Sequence, residues 1–264
     1  MRFDNEDTLK VTPEGALLRL TLNRPERRNA LSRGLIAALS RVFTGFDVGA
    51  EVRVVLLTGE GPVFCAGADI VEFAEAAADG QNQSDADGLA ELLALMHACP
   101  LPIVASVRGA AFGGGVGLLC VADIVLAAKE TRFSLSEARL GLVPATIGPY
   151  VVATLGPREA RARMLLAAPF SGEEALRSGL IHRLIPPDDL ETATRETVTD
   201  LLAGAPGAHV AIKRLMRLLA PPPSAATRKA TTELLAARLA SPEAAEGLQA
   251  FLEKRPAAWT GERG

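Results

Sequence analysis

The chain has 264 residues, 48% of them apolar and only 4% aromatic, with a formal net charge of −3. That length suits one large domain, or one domain with an appendage, and its core must be built from Ala, Leu and Val rather than from rings. The charge balance holds no basic excess to attract nucleic acid or an anionic membrane, and no apolar run reaches the roughly 18 residues of a membrane span.

Ala16–Leu22 alternates apolar and polar side chains, the period of a strand, and Asn23-Arg24-Pro25 ends it. Ser32–Phe46 carries the apolar spacing of an amphipathic helix, with Ser32 placed to cap it. Val52–Thr58 is rich in Val and Leu, and the turn Gly59-Glu60-Gly61-Pro62 follows, so a buried strand is expected. A helix is predicted over Asp69–Ala78, a mobile polar loop over Asp79–Asp87, and another helix over Gly88–Cys99, stopped by Pro100 and Pro102. Ile103–Val107 and Asp123–Ala127 read as short strands, separated by Gly113–Gly115 and an apolar helix over Val116–Val121. Alternating buried strands and helices predict an α/β fold with parallel strands. From Arg158 the strand pattern stops. Helices are predicted over Glu159–Ala168, Glu173–Gly179, Asp188–Ala203, His209–Leu219, Ala226–Ala240 and Pro242–Glu253, with a hinge at Pro221–Ser224.

Cys65, Cys99 and Cys120 are odd in number and form no C-x-x-C pair, and the polar N-terminus Met1–Asp7 lacks the layout of a signal peptide. A reduced, cytoplasmic setting is expected. His97, His182 and His209 are scattered, and no His, Asp or Glu cluster has metal-ligand spacing, so no metal is expected.

Three segments could carry chemistry. Pro62–Ile70 runs from a strand through small residues into a helix, where ligands can approach the backbone and helix-start N–H groups lack partners. Its bland reading is a tight turn capped by Asp69. Gly109–Gly117 repeats this layout but fits neither a phosphate loop, which needs Lys-Ser/Thr, nor a dinucleotide fingerprint near a first strand. Phe133–Pro144 places Glu137 among apolar residues, where a buried carboxyl trades protons near neutral pH. The competing reading there is a capping box, Ser134-x-x-Glu137. Two glycine-rich turns, each offering one N–H to the same oxygen, would form an oxyanion hole beside that acid.

In order and spacing, F-C-A-G-A-D-I at 64–70, A-F-G-G-G at 111–115 and F-S-L-S-E-A-R-L-G-L at 133–142 resemble the crotonase (enoyl-CoA hydratase/isomerase) family over nearly the whole chain. The resemblance implies a spiral of ββα turns over 1–204 and a helical C-terminal region over 205–264 that serves trimerisation and the CoA site. It implies an acyl-CoA substrate, no separate cofactor, and a homotrimer or homohexamer. Ala68 and Gly114 would supply the oxyanion-hole amides and Glu137 the acid–base carboxyl. Arg27, Arg28 and Ala30 would meet the CoA pyrophosphate and pantetheine, backbone near Ala66, Asp69 and Ile70 its adenine, and Phe251 and Lys254 a neighbouring subunit's CoA.

One position departs from the two-carboxylate members of the family: Gly117 stands where they carry a second glutamate. The resemblance therefore points to single-glutamate chemistry. The stretches at 114–118 and 140–150 resemble the methylglutaconyl-CoA hydratase branch, and the alternative is a Δ3,Δ2-enoyl-CoA isomerase. A CoA-binding protein without catalysis is a third reading, opposed by the retained Glu137.

Overall fold

The structure, a computed structural model, describes residues 7–46, 51–79 and 82–260. The main sheet has six strands in the order β1 (Leu9–Glu14), β2 (Leu17–Leu22), β3 (Val54–Gly59), β4 (Ile103–Val107), β6 (Ile124–Ala128) and β8 (Arg183–Ile185). β1 and β2 form an antiparallel hairpin, and every later pairing is parallel. Parallel strands are covered on both faces, so their sequences read as continuous apolar runs. In β4 every residue is buried. Val55, Leu57, Ile103 and Ala105 enter the large core, while Val54, Leu56 and Val104 face a second core closed by α7 (Leu190–Ala203) through Leu190, Ala193 and Val198.

After each of several main-sheet strands the chain adds a short extended piece to a second layer. Leu31 bridges Ala68, Cys65 bridges Ala111, β5 (Ala110–Phe112) pairs parallel with β7 (Arg132–Ser134), and Phe133 meets Phe170. Each turn of chain thus rises by one strand spacing, and the successive turns stack as the expected spiral. The helices α1 (Arg33–Thr44), α2 (Ile70–Asp79), α3 (Asn82–Ala98) and α4 (Gly114–Cys120) complete these turns. Ser32 caps α1 by accepting a hydrogen bond from the Leu35 amide at 3.2 Å, as its position in the sequence suggested.

Three expectations are corrected. The polar loop expected over 79–87 is largely the first part of α3, with Gly80 and Gln81 outside the described residues. Asn, Ser and Asp are compatible with a helix's first turn, and buried Ala86, Leu89, Leu92, Leu93 and Met96 supply the spacing that holds it. Strands do not cease after Arg158, because β8 extends the main sheet beside β6. At three residues, ended by Pro186, it is too short to show a period. A strand also precedes the first one predicted: Gly15, at φ +62°, turns β1 back onto β2.

The C-terminal part is helical as expected, with α5 (Gly148–Leu166), α6 (Gly172–Arg177), α7, α8 (Pro206–Leu219), α9 (Ala225–Leu239) and α10 (Pro242–Leu252), although α5 begins before the predicted Glu159 and is kinked at Gly156 (φ 75°). α8 is tied to the sheet by Lys213, whose Nζ donates to Asp123 Oδ2 (2.6 Å) and to the Leu101 carbonyl (3.0 Å). α10 lies directly on the one-turn 3-10 helix Glu137–Leu140. A Cβ at Gly141 would come within 2.6 Å of the Glu243 carbonyl, and one at Gly247 would run into the Leu140 carbonyl. Arg238 fastens the contact, donating through Nη2 to the Gly141 carbonyl and to Glu243 Oε2, both at 2.6 Å. Among the described residues no helix is long and apolar enough to cross a membrane.

Candidate active site

The two glycine-rich turns share a local design. In each, a glycine in the left-handed region stands immediately before the residue of interest: Gly67 (φ +94°) before Ala68, and Gly113 (φ +47°) before Gly114. Few other residues adopt these angles without strain. The turns also meet. A Cβ on Gly67 would lie 2.9 Å from the Phe112 carbonyl oxygen, so only glycine permits the approach. The Cβ direction of Gly114 points to within 4.0 Å of the Ala68 nitrogen.

The amides flanking these positions are used by the fold. Leu31 N–H donates to the Gly67 carbonyl (2.7 Å), Asp69 N–H to the Leu31 carbonyl (3.2 Å) and Gly113 N–H to the Ser134 carbonyl (2.8 Å). Neither Ala68 N–H nor Gly114 N–H has an acceptor among the described residues. Gly114 opens α4, where the helix geometry leaves its N–H unpaired and adds a partial positive charge.

Glu137 faces the same place. A Cβ on Gly113 would sit 3.1 Å from Glu137 Oε1, so the missing side chain makes room for the carboxyl. The capping-box reading does not hold. Ser134 Oγ turns to the Ala167 carbonyl at 3.5 Å, and the short helix at Glu137 receives no side-chain cap. The residue is half-buried, but its Oε2 is enclosed without a hydrogen-bond partner among the described residues. Burial pushes the carboxyl from 4.5 up to about 7, only partly offset by a hydrogen bond from its own backbone. By contrast, burial pushes the Cys65 thiol up to about 12, out of reach of ordinary nucleophilic use.

Ala68, Gly113, Gly114 and Glu137 line one cavity of about 210 Å³, whose other walls include Ile70, Phe73, Leu142 and Ile147. Arg28, Ala66, Ile70 and Phe251 also reach this cavity, while Arg27, Ala30, Asp69 and Lys254 are not on its wall. Arg27 and Arg28 are exposed, Arg28 in the left-handed conformation at φ 52°. The Ala30 carbonyl accepts from Arg24 Nη1 (2.7 Å), and Ala66 N–H donates to the Arg28 carbonyl (3.0 Å). Asp69 is committed locally: its Oδ2 pairs with Arg24 Nη2 at 2.9 Å and its Oδ1 caps α2 through Val71 N–H at 3.2 Å. Lys254 lies two residues past the end of α10, at φ 54°. Among the described residues, no group of three His, Cys, Asp or Glu side chains could hold a metal ion.

The sequence reading passed over three features. Arg24 is half-buried and anchors Asp69, a pairing between residues too far apart in sequence for local pattern to show. Asn29 is fully buried at φ 54°, with Nδ2 donating to the Glu60 and Val63 carbonyls. Ile147 fills the space at Gly117: a Cβ there would collide with Ile147 Cγ2 and approach its Cβ to 3.1 Å.

The family model for enoyl-CoA hydratase/isomerase matches residues 12–262. A probable enoyl-CoA hydratase of Rhodobacter capsulatus is 34% identical, over 96% of this chain and 98% of that protein. A carnitinyl-CoA dehydratase of Salmonella paratyphi A is also 34% identical, over 97% of this chain and 99% of its own length. Among solved structures, Pseudomonas aeruginosa AtuE superposes with a TM-score of 0.79 at 38% identity, covering 96% of this chain and 99% of that one.

Proposed function

This chain belongs to the enoyl-CoA hydratase/isomerase family, and from that premise we propose that it adds water to, or removes it from, an α,β-unsaturated acyl-CoA through an enolate. The observation that carries the reading is a carboxyl pushed up to about 7 by burial, its Oε2 enclosed without a partner, in one cavity with two amides that have no acceptor among the described residues. The thioester oxygen accepts hydrogen bonds from Ala68 N–H and Gly114 N–H. Water attacks Cβ as Glu137 takes one of its protons, and the π electrons move onto the thioester oxygen. Glu137 then returns that proton to Cα, which restores the carboxylate and the carbonyl. Both additions come from one face, so a single carboxyl suffices. Two amides aimed at a developing oxyanion are each worth roughly 3 kcal/mol in comparable sites.

The CoA portion lies along Arg28 and Ala66, with Arg27 and Lys254 as further cations for phosphate. Ala30, Asp69, Ile70 and Phe251 complete the CoA-side set, Asp69 by shaping the turn. No cofactor beyond the thioester substrate enters these steps. A branched acyl chain suits the apolar wall, and the terminal carboxylate of one such as 3-methylglutaconyl has to lie beyond that wall. Beyond it an adjoining cavity of about 370 Å³ shares Ala68, Phe73, Leu89 and Leu235. The exposed apolar side chains Ile212, Leu215, Met216 and Leu219 on α8 support assembly as a homotrimer or homohexamer.

One observation favours a second reading. Ile147 makes an apolar wall where a second carboxyl could have activated water, and that suits a Δ3,Δ2-enoyl-CoA isomerase in which Glu137 alone moves a proton. Incubation with 2-enoyl and 3-enoyl thioesters in ¹⁸O-water separates the two. Label in a 3-hydroxyacyl product, lost in Glu137→Gln, supports hydration. A shifted double bond without label refutes it.

A further inference from the structure

We infer that the hydroxyl of Thr146 anchors the water that is added at Cβ, in place of the second carboxyl this chain lacks. The inference deepens the hydration reading and rests on it. With glycine at 117 and Ile147 occupying the space beside it, Glu137 is, among the described residues, the one acidic side chain on the cavity wall, and it must handle two proton positions in sequence. Thr146 stands on that same wall, adjacent to Ile147. It is 5% exposed, and its Oγ1 is enclosed with no hydrogen-bond partner among the described residues. Nearly every buried hydroxyl in a folded protein is paired, so an orphan on a cavity wall calls for a ligand.

Most of the other buried hydroxyls among the described residues follow that rule. Thr194 and Thr197 donate to the carbonyls four residues back, Leu190 and Ala193, at 2.7 and 2.8 Å. Ser106 pairs with Thr194 (3.0 Å), Thr131 donates to the Val107 carbonyl (3.4 Å) and Ser134 to that of Ala167 (3.5 Å). Thr146 precedes α5, outside a helix interior that would offer such a carbonyl. Tyr150 OH is also partnerless, but Tyr150 is not on the cavity wall. Two residues of this wall, Thr146 and Glu137, therefore each carry an enclosed oxygen without a partner among the described residues, Oγ1 and Oε2. A water held by both would give its proton to Glu137 while the hydroxyl fixes its remaining lone pair. A threonine hydroxyl can do this because it both donates and accepts.

The test compares two reactions of one protein. Hydration of a 2-enoyl-CoA needs the amides, Glu137 and an anchored water. Exchange of the Cα hydrogens of butyryl-CoA in D₂O needs the amides and Glu137 but no water at Cβ. Thr146→Val is expected to lower kcat for hydration about 10- to 100-fold with little change in KM, leaving exchange within about two-fold. Thr146→Ser is expected to recover most of the hydration rate. The preserved exchange also reports that the variant has folded. Should the valine variant misfold, Thr146→Ala and Thr146→Ser carry the same comparison. Wild-type hydration in the valine variant, equal loss of both reactions, or failure of serine to rescue overturns the role of Thr146. Cα exchange by the wild type with no water-derived ¹⁸O in any product refutes the hydration reading itself, before any variant is made.

Discussion

Replacing Glu137 by glutamine should make the protein more stable at pH 8 and leave its stability nearly unchanged at low pH. The carboxyl is held near 7 by burial, against an ordinary value of 4.5. A carboxyl raised in the folded state contributes its stability at low pH and loses it as the pH climbs from the unfolded value through the folded one. The loss therefore falls between about 4.5 and 7 and is complete above that window. At about 1.4 kcal/mol per decade, the displacement from 4.5 to about 7 corresponds to roughly 3 kcal/mol. Glutamine keeps the shape without the charge, so Glu137→Gln escapes this penalty. Urea unfolding followed by far-UV circular dichroism measures it, with both proteins at one concentration so that assembly contributes equally. The stability difference should grow by about 3 kcal/mol from pH 4.5 to pH 8. A difference constant to within about 0.5 kcal/mol across that range would refute the claim that the carboxyl is desolvated.

The same group sets the pH dependence of turnover: kcat/KM for hydration should rise as the pH passes upward through about 7, where the basic form appears. Gly117→Glu should not restore a second acid, because Ile147 holds the space. A melting curve should show a loss on the order of 1–3 kcal/mol, relieved when Ile147 is also reduced to glycine. Asp69→Ala leaves Arg24 without its 2.9 Å partner and should cost about 3 kcal/mol of stability, measured by urea unfolding. Arg28→Ala should raise KM for a CoA thioester about ten-fold with kcat unchanged, and should not affect a short N-acetylcysteamine thioester, which has no phosphate.

What the sequence made legible follows from how local each signal is. Strands β3 and β4 stood out because burial on both faces leaves an uninterrupted apolar run, and Ser32 because a cap bonds three residues ahead. The short strand β8 gave no such signal, and the polar start of α3 pointed to a loop although Ala86 already anchors a helix. At the site, the glycines marked the turns, but the approach of Ala68 and Gly114 depends on stacking bridges between residues 31, 65, 68 and 111. Whether Ser134 caps the segment of Glu137 was equally open from sequence, because it is decided by the Ala167 carbonyl more than thirty residues away. The filling of the space at Gly117 by Ile147, and the Arg24–Asp69 pair, are likewise matters of tertiary register.

The seat of α10 on the Leu140–Gly141 peptide has a mechanical consequence. Two glycines let the backbones touch there, so little soft side-chain matter is left to absorb a displacement. A push on the tail of the chain is passed to a peptide only a few residues from the reacting carboxyl. Drift at positions 243–247 is therefore drift in the tuning of the reaction, although none of those side chains borders the cavity.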